Sequence, residues 1–142
     1  MDITSANSTF NLTIATVFPI SQSLQGYATD DAFTTDAVDP AEVRMGVDGK
    51  MSAGFTPFPT HINIAFQPDS PSIAVFDAWL QYMKSTKAIY TASGVISVPS
   101  IGKLYILKNG VLTKAEQLPG AKKILEPQHY TITFESVIAA PQ

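Results

Sequence analysis

His61 and His129 are the only imidazoles in the chain, so any general acid–base chemistry at neutral pH would have to pass through one of them. A Ser-His-acid set would need a partner serine presented on a sharp turn, and no Gly-x-Ser-x-Gly elbow exists to present one. Both histidines stand at or just before strand-like segments, where a side chain bonded to backbone or water accounts for them. There is no cysteine, which removes thiolate nucleophiles, cysteine zinc sites and disulfides together. Two histidines far apart in sequence offer no metal-ligand spacing. The acidic run Asp30-Asp31-Ala32-Phe33-Thr34-Thr35-Asp36 lacks the alternating acids and central glycine of an EF-hand loop. Gly46-Val47-Asp48-Gly49-Lys50 lacks both the glycine spacing and the Ser or Thr after lysine that a phosphate loop requires, and reads as a turn. No set of groups earns a catalytic role, and no cofactor or metal is expected.

The elements that would carry these residues are mostly strands. Phe10, Leu12, Ile14 and Phe18 alternate with Asn11, Thr13 and Ala15, the period of a half-buried strand, and Pro19 is expected to end it. Alternation returns over 61–67, with Ile62, Ile64 and Phe66 on one face and His61, Asn63, Ala65 and Gln67 on the other. It returns again over 128–138, where Tyr130, Ile132, Phe134 and Ile138 oppose Thr131, Thr133 and Glu135; Val137 is the one apolar intruder on the polar side. Asn109-Gly110 between 103–107 and 111–113 predicts a type I′ hairpin.

A single helix is predicted over 70–87. Ser70 suits the N-cap and Pro71 the first helical position; Ile73, Phe76, Leu80 and Met83 follow at helical spacing, widened by Val75, Trp79 and Tyr82. Ile73, Phe76, Trp79, Leu80 and Met83 are the expected helix–sheet core. The stretch 21–60 is acidic and too long for an ordinary loop, and reads as a projecting hairpin with hidden strands over 33–38 and 42–55.

The size, 142 residues with 45% hydrophobic side chains, suits one domain spanning the whole chain. Charged residues make up 15%, low for a soluble domain, which leaves much surface neutral or covered by partners. The net charge of −3 hides an asymmetry: nine acids against two bases up to Tyr82, a balance of −7, then seven lysines against three glutamates, +4. Opposite patches of this kind suit head-to-tail contact between copies as well as plain solvation. An acidic chain is a poor binder of phosphates. No apolar run approaches the roughly 18 residues of a membrane span and no basic leader opens the chain, so a soluble protein without membrane insertion is expected.

Taken in order, Asp30-Asp31-Ala32-Phe33, Met45-Gly46-Val47-Asp48-Gly49-Lys50, Gln67-Pro68-Asp69-Ser70-Pro71-Ser72 and Phe76-Asp77-Ala78-Trp79 resemble the tail-tube protein of tailed, myovirus-like bacteriophages. Val98-Pro99-Ser100-Ile101-Gly102, Lys108-Asn109-Gly110-Val111-Leu112-Thr113 and Ala121-Lys122-Lys123 before a terminal strand agree, so the resemblance runs from about Gln25 to the end. It implies a β-sandwich or barrel flanked by one helix, akin to pyocin and type VI secretion tube subunits. It also implies homo-hexameric rings, stacked into a tube that passes double-stranded DNA. The partners would be sheath, baseplate, tail terminator and tape-measure proteins, with assembly in the host cytoplasm and residence in the virion tail.

On that reading Asn63, Gln67, Thr131, Thr133 and Glu135 are expected to face the lumen. Asp30, Asp31, Asp36, Asp39 and Asp48 would meet Lys114, Lys122 and Lys123 of the neighbouring ring. Two alternatives stay open: a secretion-system or pyocin-like tube subunit, and a monomeric β-sandwich binding module.

Overall fold

The computed structural model describes residues 8–24, 33–118, 120, 121 and 124–141. Among these residues, nine strands and one α-helix follow in the order β1 (Thr9–Ile14), β2 (Phe18–Ser23), β3 (Phe33–Thr35), β4 (Ala41–Met45), β5 (Met51–Phe55), β6 (Thr60–Phe66), α1 (Ile73–Thr86), β7 (Ala92–Val98), β8 (Lys103–Ala115) and β9 (Gln128–Pro141), with a single 3-10 turn at Pro99–Ile101 between β7 and β8. Seven strands form one antiparallel sheet in the order β2-β1-β7-β8-β9-β6-β3, and β4 and β5 form a separate two-stranded ribbon. The chain is thus mainly β with one helix, as expected.

Alternation dictates the sheet's two faces. Ile62, Ile64 and Phe66 of β6, Tyr130, Ile132 and Phe134 of β9, and Phe10, Leu12 and Ile14 of β1 are all buried. Phe10 on β1 meets Phe33 on β3 edge to face at 6.0 Å, although four strands lie between theirs in the sheet. The sheet therefore curls around its apolar face and leaves the other face convex.

Helix α1 plugs the concave side. Phe76 stacks on Tyr130 at 4.6 Å and tilts against Phe66 at 5.5 Å. Trp79 is wholly buried and donates its indole N–H to the Tyr90 carbonyl at 3.0 Å. Ile73, Phe76 and Trp79 lie in the core, and Leu80 and Met83 are packed against it. Tyr82 does not join them: it is exposed and meets the Tyr90 ring edge on at 6.1 Å. The helix proper starts at Ile73, yet Ser70 Oγ still accepts the Ser72 N–H at 3.2 Å, so Ser70 caps the turn that leads in. Lys87 closes the other end in the left-handed region, φ 55°, its N–H bonded to Met83 O.

Two expected boundaries move. The first strand ends at Ile14, and a tight turn over 15–17, with Thr16 at φ 72°, returns the chain as β2. Pro19 sits inside β2, an edge strand, where a missing N–H need not break a ladder. The hairpin expected at Asn109-Gly110 is absent: β8 runs through it unbroken from Lys103 to Ala115, paired along its length with β9. Asn109 does take the left-handed conformation, φ 52°, but as a kink within a strand.

That kink changes which side chains face the core. Leu107 and Val137 pair on the concave side, and beyond the kink Gly110 and Phe134 pair there instead. Lys108 and Asn109 are consecutive exposed residues, and Glu135 pairs through its carboxylate with Asn109 Nδ2. Val137 thus packs against the core, and Ile138, expected inside, is 45% exposed.

Candidate functional site

The convex face of β6, β9 and β8 carries a ladder of polar side chains. Asn63 Nδ2 donates to Asp36 Oδ1 at 3.0 Å, and Asn63 Oδ1 accepts the Thr131 hydroxyl at 2.8 Å. A second row runs from His61 Nδ1 to Thr133 Oγ1 at 2.7 Å and on to Thr113 Oγ1 at 3.0 Å. Thr113 Oγ1 ties the rows together by bonding the Thr131 carbonyl at 3.2 Å. The registers Asn63↔Thr131 and His61↔Thr133 place these residues directly opposite one another, which is why short side chains suffice to join neighbouring strands. At one end of the face, Glu116 Oε1 lies 2.8 Å from His129 Nδ1.

Of the five lumen candidates, Asn63, Thr131 and Thr133 share this network and Glu135 lies on the same face beside Asn109. Gln67 follows β6 at the next outward position but one and is half-buried. The amide and hydroxyl donors named in the two rows point at neighbouring oxygens of the same sheet. The amides and hydroxyls of these rows therefore offer phosphates few unoccupied donors, while Lys114, opposite Thr131, adds an exposed ammonium to the same face.

Past the Asn109 kink the same convex face changes character. Val95 on β7, Ile106 on β8 and Ile138 on β9 stand opposite one another in register, flanked by the pair Leu104 and Ala140. Ile138 is exposed and the others are half-buried.

Of the hidden strands expected in the long acidic stretch, 33–38 supplies β3 of the large sheet, whereas 42–55 forms the ribbon of β4 and β5. Its tip, from Gly46 to Lys50, is a turn closed by Gly46 N–H to Lys50 O at 2.8 Å and by the Lys50 N–H on Asp48 Oδ1 at 3.1 Å, with Gly49 at φ 84°. Its charges, Glu42, Arg44, Asp48 and Lys50, balance to zero, so its acidity belongs to the base, at Asp36 and Asp39. Cross-strand pairs divide it cleanly: Ala41/Phe55, Val43/Ala53 and Met45/Met51 on one face, Glu42/Gly54 and Arg44/Ser52 on the other. Every residue of the apolar face is exposed, Met45 at 65%, Met51 at 64% and Phe55 at 76%. The alternations Ala41-Val43-Met45 and Met51-Ala53-Phe55 are the sequence signal for this face.

The stacking candidates are scattered. Asp36 belongs to the convex polar network, and Lys114 pairs with Thr131 in register and so shares that face. Asp39 precedes the ribbon and Asp48 sits in its tip. Asp30, Asp31, Lys122 and Lys123 lie outside the described residues. Among the described residues no cluster of His, Asp and Glu could hold a metal ion, and no helix is long and apolar enough to cross a membrane. A groove of about 490 Å³ opens between β3 and β7–β9, lined by apolar side chains such as Phe33, Ile62, Val98 and Val137 and by Thr34, Thr35, Asp36 and Thr60.

Comparison with known proteins places this fold. A chain of the cryo-EM anti-feeding prophage baseplate, 6-fold symmetrised, superposes with a TM-score of 0.57 at 12% identity, over 99% of this chain and 97% of that one. A chain of the sheath-tube complex of an extracellular contractile injection system (PVC) gives 0.55 at 13% identity, over 94% and 88%. A chain of the anti-feeding prophage tube-terminating cap gives 0.57 at 10% identity, over 100% and 94%. At these identities the likeness is one of fold, and it agrees with the resemblance to phage tail-tube proteins. No curated protein matches in sequence. The profile of one family, described as tail fiber protein gp32, matches residues 1–138. The chain belongs to this tail-protein family.

Proposed function

We propose that the chain is a non-enzymatic tail-tube subunit: six copies close into a ring, rings stack, and the convex polar face lines a bore that guides double-stranded DNA. The observation that carries this reading is the division of the sheet. Its concave face is filled by α1, and its convex face presents Asn63, Thr131 and Thr133 bonded into one polar network, with Glu135 accepting from Asn109 beside it. A conduit works by failing to bind what passes, and internally bonded amides and hydroxyls beside acidic groups resist phosphate adhesion. Closing a ring also covers the sheet edges left by β2 and β3. The fold's presence in a 6-fold symmetrised baseplate, a sheath-tube complex and a cap supports tube over fibre geometry. Sheath, baseplate, terminator and tape-measure proteins would be the partners, in a virion tail assembled in the host cytoplasm. Charge on Asp30, Asp31, Asp36, Asp39 and Asp48 would steer stacking toward Lys114, Lys122 and Lys123 of the next ring.

Glu135→Lys tests the bore. It places a cation where Glu135 faces Asn109, and DNA ejection from assembled virions should slow while rings still form in electron micrographs. Unchanged ejection kinetics remove Glu135 from the bore, and a parent protein that stays monomeric in native mass measurements removes the tube reading. A second reading, a tube of an injection particle with other cargo, is favoured by the source of the matched folds. Nuclease-resistant DNA in purified particles decides against it.

A further inference from the structure

Four asparagines occur in the chain, and only Asn109 is followed by glycine. The kink in β8 demands both members of that pair. Residue 109 sits at φ 52°, a conformation that asparagine tolerates better than most side chains. At Gly110 a Cβ would lie 2.4 Å from one Phe134 ring carbon and 3.0 Å from Ile132 Cγ2, so the packed concave face admits no side chain there without strain. Asparagine before glycine is also the pair in which a side-chain amide is most open to attack by its own main chain, because no Cβ shields the nitrogen that follows. The geometry that fixes the kink thus imposes a labile dipeptide on a strand paired on both sides.

We propose that Asn109 is a self-modification site, deamidating to aspartate and isoaspartate when β8 opens, and that Glu135 guards it in the closed sheet. In the reaction the Gly110 backbone nitrogen attacks Asn109 Cγ and the C–N bond forms. The Cγ–Nδ2 bond breaks, and ammonia leaves with the Gly110 amide proton. Water then opens the resulting succinimide at either carbonyl, so water enters, ammonia departs and nothing is oxidised or reduced. Asn109 is exposed, so exclusion of water is not what protects it. Two restraints do so instead. Asn109 Nδ2 donates to the Glu135 carboxylate, which directs the amide across to β9 and away from its own main chain. Gly110 pairs with Ala92 on one side and Phe134 on the other, so bringing its nitrogen onto Cγ requires the backbone to rotate out of the ladder.

Either product damages the pairing that had prevented it. Aspartate sets a second carboxylate beside Glu135, a like-charge cross-strand pair. Isoaspartate adds a carbon atom to the main chain at the point where β8 and β9 reverse phase. Subunits that linger open are therefore marked and refold poorly, whereas closed ones persist. This chemistry is independent of the tube reading and holds equally for a monomer.

The test incubates the protein in mildly alkaline buffer, digests it with pepsin in acid to stop the reaction, and follows the peptide containing Asn109 by mass spectrometry. Unfolded in urea, the chain should deamidate at Asn109 roughly tenfold faster or more than the folded parent, because the opening step is removed. Folded Glu135→Ala, with a urea midpoint near the parent's, should react roughly threefold faster or more, since one restraining hydrogen bond is lost. Asn109→Gly keeps the left-handed residue and should abolish the signal, while Asn109→Asp should lower the urea midpoint. Equal rates in folded and unfolded protein overturn the guarded site. So does an unchanged rate in folded Glu135→Ala, or deamidation at Asn11 or Asn63 in preference to Asn109.

Discussion

Removing the indole of Trp79 probes the joint between helix and sheet. The side chain is fully buried, lies 6.1 Å from the Phe76 ring, and holds the Tyr90 carbonyl through its N–H at 3.0 Å. Trp79→Ala therefore leaves a cavity beneath α1 and strips Tyr90 O of its donor. Buried Trp-to-Ala changes cost about 3 to 5 kcal/mol, and the lost hydrogen bond accounts for about 1 of it. In a chain of this size that lowers the thermal midpoint by roughly 10 to 20 °C. Trp79→Phe keeps most of the ring burial and loses the hydrogen bond, so a loss nearer 1 to 2 kcal/mol is expected. Urea unfolding followed by far-UV circular dichroism is the assay, because the substitution removes the sole tryptophan. Dilution to a constant midpoint separates subunit stability from assembly. A Trp79→Ala midpoint equal to the parent's, at an unchanged slope, would refute the packing of α1 on the concave face.

A methyl group at Gly110 would sit 2.4 Å from one Phe134 ring carbon and 3.0 Å from Ile132 Cγ2, so Gly110→Ala should cost about 1 to 3 kcal/mol in the same unfolding assay. The Tyr130 hydroxyl is raised to about 12, first by burial and then by the charges of Asp77 and Glu116. Unfolded tyrosine gives up its proton near 10 while the folded one keeps it, so this contribution to stability is complete below pH 10 and is lost as the pH rises to about 12. Tyr130→Phe should flatten the fall of the urea midpoint across that window; an unaltered slope would assign the fall to other groups.

Much of the architecture was legible because alternation reports burial directly. Segments 61–64 and 128–134 alternate as read, Ala65, expected outward, is buried, and the spacing from Ile73 to Met83 located the helix. What failed was turn chemistry. The hairpin from β1 to β2 turns on Ala15-Thr16-Val17, with neither Gly nor Asn to mark it, and a β-branched residue occupies the left-handed position. Asn109-Gly110 carries the strongest turn signal of the chain, yet β9 is long enough to pair with both sides of it, and tertiary pairing prevails over local preference. The ribbon was placed correctly but read for its acids. Those acids lie largely at its base, whereas its apolar alternation was overlooked because small Ala residues dilute it. β7 was missed for a similar reason, its Ser and Gly giving a weak pattern.

Val137 looked like an error in an otherwise regular strand, and it marks a reversal of phase. From Asn109 and Glu135 onward the paired strands β8 and β9 exchange inside for outside, so a single continuous surface is wettable at one end and water-shedding at the other. Such a pattern constrains inheritance. Adding or removing one residue near this point would restore regular alternation and, in doing so, turn the Leu107 and Val137 side chains outward and interchange the two ends of the face. The ribbon tip at Val47, wholly exposed, carries no such phase and can accept length changes freely. Related tail proteins should therefore vary in length at the tip and hold a fixed count between Leu107 and Gly110.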